Sequence, residues 1–215
     1  MANTQTANGT DLPVPKHRHI WIVTGPAGCG KTTVAADLSK YYKLPYLEGD
    51  SVCRTQRARA SILINPKYHP QTNIDKMSHG IPLTDADRWD WLILLRDQAV
   101  AALNSGATGV VVTCSALKRK YRDVIRIAAY NDPGVLVHFI YLAASPELLF
   151  QRVHGRVGHY MKDDMVKSQL ESLEPPQVDE KDALHVDVSG DFAAVHKLSL
   201  GVVNKVMAHD AGHPV

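Results

Sequence analysis

The stretch Gly25-Pro-Ala-Gly-Cys-Gly-Lys31-Thr32 constrains the fold of this chain more than any other. It satisfies the G-x-x-x-x-G-K-[ST] spacing at every fixed position and carries the flanks that spacing requires. Upstream, His19-Ile-Trp-Ile-Val-Thr24 is a short apolar, β-branched run. Downstream, Thr33 to Tyr42 has helical spacing, so the loop joins a buried strand to a helix. Glycines let backbone N–H groups turn inward onto phosphate oxygens, and the helix N-terminus adds partial positive charge at the same point. Gly25, Pro26, Ala27, Gly28, Cys29, Gly30, Lys31, Thr32 and Thr33 are therefore the expected nucleotide-binding residues. Lys31 should reach the β- and γ-phosphates of a nucleoside triphosphate, and the Thr32 hydroxyl is placed to ligate Mg²⁺. Cys29 reads as a small filler residue within the loop.

Strand-like and helix-like segments alternate along the rest of the chain, the pattern of a parallel sheet covered on both faces. Strands are expected over Leu44–Glu48, Gly109–Thr113, Val135–Leu142 and Ala183–Val188. Helices are expected over Asp85–Leu103, Lys118–Ala129, Pro146–Val153, Lys162–Leu173 and Phe192–Ala208. The predicted architecture is α/β, a doubly wound parallel sheet of about five strands, with ligands at the carboxyl ends of the strands. Residues 1–18 read as a disordered N-terminal segment, 19–208 as a single domain and 209–215 as a tail.

The chain has 215 residues, of which 45% are hydrophobic and 21% charged, with a formal net charge of +2. It has no long basic stripe, which argues against nucleic acid as a partner. No apolar run approaches a membrane span and no signal peptide opens the chain, so a cytoplasmic location without membrane contact is expected. Cys29, Cys53 and Cys114 match neither a metal-ligand pattern nor a disulfide framework.

Three clusters follow the predicted strands. Asp50 comes directly after the second, where a carboxylate either accepts the proton of an attacking hydroxyl or holds Mg²⁺; a turn or helix cap is the alternative. Lys118 and Arg122, four apart on a predicted helix, share one face and could clamp an anionic group, or form a solvated basic surface. Arg152 and Arg156, beside Gly155 and Gly158, read as a lid over 152–162 that brings arginines to the triphosphate, with a plain surface turn as the alternative.

Taken together the motifs resemble the small phosphate-loop gluconokinases. The matching segments are Gly25–Thr32, Gly49-Asp50, and His69-Pro70 with Asn73, Lys76-Met77, Asp85, Asp87-Arg88 and Trp91-Leu92. They continue with Cys114-Ser-Ala-Leu-Lys118, Tyr121-Arg122-Asp123, Arg152, Arg156, Gly158-His159 and Gln169 to Glu174. The resemblance implies phosphorylation of D-gluconate at the 6-hydroxyl with ATP and Mg²⁺, and a homodimer. It further implies catalytic roles for Lys31, Asp50, Arg122 and Arg156, and substrate contacts from Asp50, His69, Asn73, Lys76, Lys118, Arg122 and His159. Thr32 and Asp50 are the implied metal ligands. Met77, Trp91 and Leu92 are expected in the core.

The chain departs from the family pattern where Ser51–Tyr68 intervenes between Gly-Asp and His-Pro. That segment is basic, then briefly apolar, and reads as a loop: a surface insertion, or a retained intron or similar gene-prediction error. Two other functions stay open from sequence: a shikimate- or nucleotide-type kinase, and an ATP-binding regulator in which the insertion has cost catalysis.

Overall fold

The computed structural model describes residues 15–49, 71–79, 81, 83–155 and 163–212. The insertion 51–68, together with Asp50, His69, Arg156 and His159, lies outside the described residues.

Five strands, β1 (Arg18–Thr24), β2 (Tyr46–Glu48), β3 (Gly109–Thr113), β4 (Val135–Ala143) and β5 (Ala183–Asp187), form one sheet in the order β2-β3-β1-β4-β5. Every pairing is parallel, with β1 at the centre: His19 stands beside Gly109 on one side and Leu136 on the other. A strand covered on both faces reads as an unbroken apolar run, and β1 from His19 to Thr24 is buried at every position.

Helices cover both faces. Ile20 and Ile22 point toward α3 (Trp89–Asn104) and α4 (Arg119–Asn131), where Trp91, Leu95, Tyr121 and Ile125 close one core. Trp21 and Val23 point the other way, into a core with α1 (Lys31–Tyr42), α5 (Pro146–His154) and α7 (Phe192–Asp210) through Val34, Leu38, Leu149 and Val203. The doubly wound architecture is the predicted one. Trp91 and Leu92 are core residues, 1% and 0% exposed.

Two boundaries and one helix differ from the sequence expectation. α1 ends on Lys43 in the left-handed conformation (φ 55°), with the Leu44 N–H returned to the Ser39 carbonyl, so β2 begins only at Tyr46. α3 starts at Trp89 rather than Asp85, because the Asp87 carboxylate accepts hydrogen bonds from the Thr84 N–H (2.9 Å) and hydroxyl (2.8 Å). The segment is thereby held in a turn. The sequence reading had no helix over Gln71–Ser78, yet α2 (Gln71–Ser78) forms there; Pro70 just ahead of it was the available start signal. α6 (Asp163–Glu171) completes the set.

Candidate active site

The phosphate loop leaves the carboxyl end of the central strand. Gly25, Gly28 and Gly30 take φ values of 145°, 86° and 102°, a region that side chains disfavour, so the loop's shape depends on glycine there. Cys29 is 1% exposed and packs back against Gly25, the filler position expected of it. Thr32 and Thr33 are exposed in the first turn of α1. The Lys31 ammonium lies over the loop, donating to the Gly25 carbonyl (3.0 Å) and the Pro26 carbonyl (3.2 Å). Gln169 on α6 accepts the Ala27 N–H at 2.7 Å, so one loop amide is held by a side-chain oxygen where the sequence reading gave Gln169 no role.

Beside the loop is a cavity of about 310 Å³ whose walls include Gly30, Thr33, Arg152, Val188, Phe192 and His196. Arg152 is fixed at its rim by a 2.7 Å bond from Nη2 to the Val188 carbonyl. The rings of Phe192 and His196 stack at 6.1 Å, and His196 Nδ1 lies 3.4 Å from Asp37 on α1. A flat apolar wall with polar edges, next to a phosphate loop, suits a nucleobase.

On the other side of the loop, Gly49 at the end of β2 is held tightly. Its N–H donates to the Thr113 carbonyl and hydroxyl, both at 3.1 Å, and its carbonyl accepts from Trp91 Nε1 at 3.0 Å. The Thr113 hydroxyl donates to Glu48 (2.6 Å), which also accepts from the Tyr46 hydroxyl. Burial first, and then Glu48, pushes the Tyr46 phenol upward, so it stays a donor. Thr32 is also within hydrogen-bond reach of that phenol, so oxygen donors gather at the first turn of α1. Hydroxyl and carboxylate oxygens are the donor set that Mg²⁺ takes.

An added Cβ at Gly49 would lie 2.2 Å from the Thr113 carbonyl and 2.8 Å from Leu95. Gly49→Ala should therefore force the backbone apart and cost about 2–3 kcal/mol, read as a fall of several degrees in Tm. An unchanged Tm would refute this packing.

Arg122 is where sequence and structure part. Its side chain is 2% exposed and spent internally. Nε and Nη2 form a two-pronged pair with Glu180 (2.7 Å each), while Nη1 reaches the carbonyls of Glu174 (3.0 Å), Ala116 (3.3 Å) and Leu117 (3.4 Å). It does not stand beside Lys118 as a clamp. Lys118 is the N-cap of α4 with extended backbone (φ −103°, ψ 151°), so the shared-face argument, which needs both residues helical, fails. Lys118 instead pairs with Asp85 at 3.0 Å. Asp85 also accepts from Lys120 and Tyr121, and these donors, Lys120 foremost, pull its carboxyl well below the usual range.

Asn73, 3% exposed, donates to the Asp87 carbonyl (2.6 Å), and Lys76 donates to the Asp87 carboxylate (2.7 Å). These bonds strap α2 to the turn before α3. Lys76, followed by the Thr84 backbone and side chain, holds the Asp87 carboxyl at about 2.

A family model described as an AAA domain matches residues 20–176. A "Probable gluconokinase" of Schizosaccharomyces pombe is 41% identical over 201 residues, covering 93% of this chain and 94% of the relative. The chain belongs to the gluconokinase family. The "Thermosensitive gluconokinase" of Escherichia coli is 36% identical over 81% of the chain and 82% of its own length. The crystal structure of a gluconokinase from Sinorhizobium meliloti 1021 superposes with a TM-score of 0.71 at 34% identity, covering 91% of this chain and 96% of that one. Among the described residues no helix is long and apolar enough to cross a membrane.

Proposed function

We propose that the chain transfers the γ-phosphoryl group of ATP to the 6-hydroxyl of D-gluconate, giving 6-phospho-D-gluconate and ADP, in the cytoplasm. The observation that carries this reading is the intact phosphate loop, with its positive-φ glycines and Lys31 curled over it, in a chain of the gluconokinase family. The loop amides and Lys31 bind the β- and γ-phosphates, exchanging the ammonium's two carbonyl partners for phosphate oxygens. The base lies in the Phe192–His196 cavity, whose walls also include Val188 and Gly190. Thr32 and Asp50 are the residues to hold Mg²⁺, which offsets charge on the triphosphate. Asp50 follows the anchored Gly49 in sequence and either accepts the proton of the 6-hydroxyl or serves that metal; both are carboxylate roles in phosphoryl transfer.

Arg152 covers the nucleotide from α5, with Arg156 as its lid partner. His69, Lys118 and His159 act on the substrate side; Asn73 and Lys76 contribute there by fixing the Asp87 turn. Purified protein with MgATP should release ADP on addition of D-gluconate, and not with shikimate or nucleoside monophosphates. Turnover with one of those acceptors, or ATP binding without gluconate-dependent ADP release, would overturn the reading.

A further inference from the structure

A second cavity, about 280 Å³, opens between the start of α3 and the start of α4, with walls that include Thr84, Asp85, Arg88, Lys118, Tyr121 and Ser172. Its chemistry is that of a polyhydroxy acid site: hydroxyls and one carboxylate to exchange hydrogen bonds with alcohols, and cations to hold an acid group. The charges are unequally paired. Asp85 is shared by Lys118 and Lys120, and the nearby Glu174 carboxylate is engaged by the Arg119 N–H at 2.8 Å. The Arg88 guanidinium, by contrast, has no hydrogen bond or ion pair among the described residues. It lies only over the Tyr121 ring, 5.6 Å from the centroid. A ring face leaves the planar edge of a guanidinium, with its parallel N–H donors, open to a carboxylate.

We propose that Arg88, with Lys118 beside it, recognises the carboxylate of the acceptor substrate, the task that the buried Arg122 cannot perform; this rests on the gluconate reading above. Arg88 is also the residue at the N-terminal boundary of α3, and Trp91, three residues on, holds the Gly49 carbonyl, so the acid end of the substrate and the chain leading to Asp50 are fixed by the same helix. The substrate would then lie with its acid group at the α3–α4 cavity and its far hydroxyl toward the phosphate loop.

Steady-state kinetics of Arg88→Gln and Arg88→Lys test this. In the Gln variant the KM for gluconate should rise roughly 10- to 100-fold, as loss of a charged hydrogen-bonding pair predicts, with the KM for ATP unchanged. The preference for gluconate over neutral D-gluconamide, as a ratio of kcat/KM values, should fall with it, and Arg88→Lys should recover part of both. An unchanged gluconate KM in the Gln variant, or a parallel loss with gluconate and gluconamide, would overturn the assignment while the kinase reading stands. A wild-type protein silent toward gluconate would overturn both. If the Gln variant does not fold, the Lys variant decides alone: an unaltered gluconate-to-gluconamide ratio overturns the proposal.

Discussion

Lys31→Ala is expected to leave a folded protein that has lost gluconate-dependent ADP release almost entirely. The ammonium's bonds to the Gly25 and Pro26 carbonyls are partly exposed and tie the loop only to itself. Losing them should cost about 1 kcal/mol, a change of a few degrees in Tm. Phosphoryl transfer depends on it far more, because the lysine is the one fixed positive side chain within the loop and acts where charge develops between the β- and γ-phosphates. Removing a single such donor costs on the order of 10²- to 10³-fold in kcat. The pair of measurements is decisive: a kcat within a few-fold of wild type would take Lys31 out of the chemistry. A collapse in Tm would instead mean that the loop is a structural element.

The largest effect on stability should come from Glu180→Ala. Glu180 is buried where the chain turns into β5, and its two oxygens hold both Arg122 and, at 2.7 Å, Arg126. Arg126 in turn pairs with Asp182 and lies over Phe139 of β4 at 5.0 Å, so one carboxylate ties α4 to the sheet's outer half. Truncation leaves the Arg122 charge buried with only carbonyl partners, a change that costs about 3–5 kcal/mol. For a domain this size that lowers Tm by roughly 8–15 °C.

The same pair gives a pH dependence. Burial by itself would raise the Glu180 carboxyl, but the hydrogen bonds from Arg122 and Arg126 outweigh it and hold it at about 2. A folded-state value below the unfolded one means that the stabilisation is complete above about pH 4.5 and is lost as pH falls toward 2. Wild-type Tm should therefore drop more steeply between pH 5 and 2.5 than that of Glu180→Gln, which has no carboxyl to titrate. Equal slopes would remove Glu180 from the acid response.

Much of this was readable in advance because it is local. The phosphate loop is one contiguous string, and the parallel sheet announces itself through unbroken apolar runs such as Ile20–Val23 and Val110–Val112. Gly109–Thr113 was predicted to the residue. What stayed hidden depends on partners far away in sequence. The i, i+4 spacing of Lys118 and Arg122 could not reveal that Lys118 stands outside the helix. Nor could it reveal that Arg122 faces inward, because the reason is Glu180, a residue 58 positions later. Asp85 is similar: its partners Lys118, Lys120 and Tyr121 lie at the start of α4, 33 to 36 positions later. Arg88 stands in the motif string, but that its guanidinium has no hydrogen bond or ion pair among the described residues follows from the cavity and from no local pattern. Gln169 is the mirror case, an ordinary helix residue whose role appears only once α6 lies against the loop.

Phosphorus-31 NMR of the reaction mixture tests the central claim most directly, because it identifies the bond that is made as well as the nucleotide consumed. With MgATP and D-gluconate the γ-phosphate signal of ATP should be replaced, one for one, by a phosphate monoester signal split by the two protons of a primary carbon, as phosphorylation at the 6-hydroxyl requires. An ester on a secondary carbon, or ATP converted only to ADP and free phosphate, would contradict it.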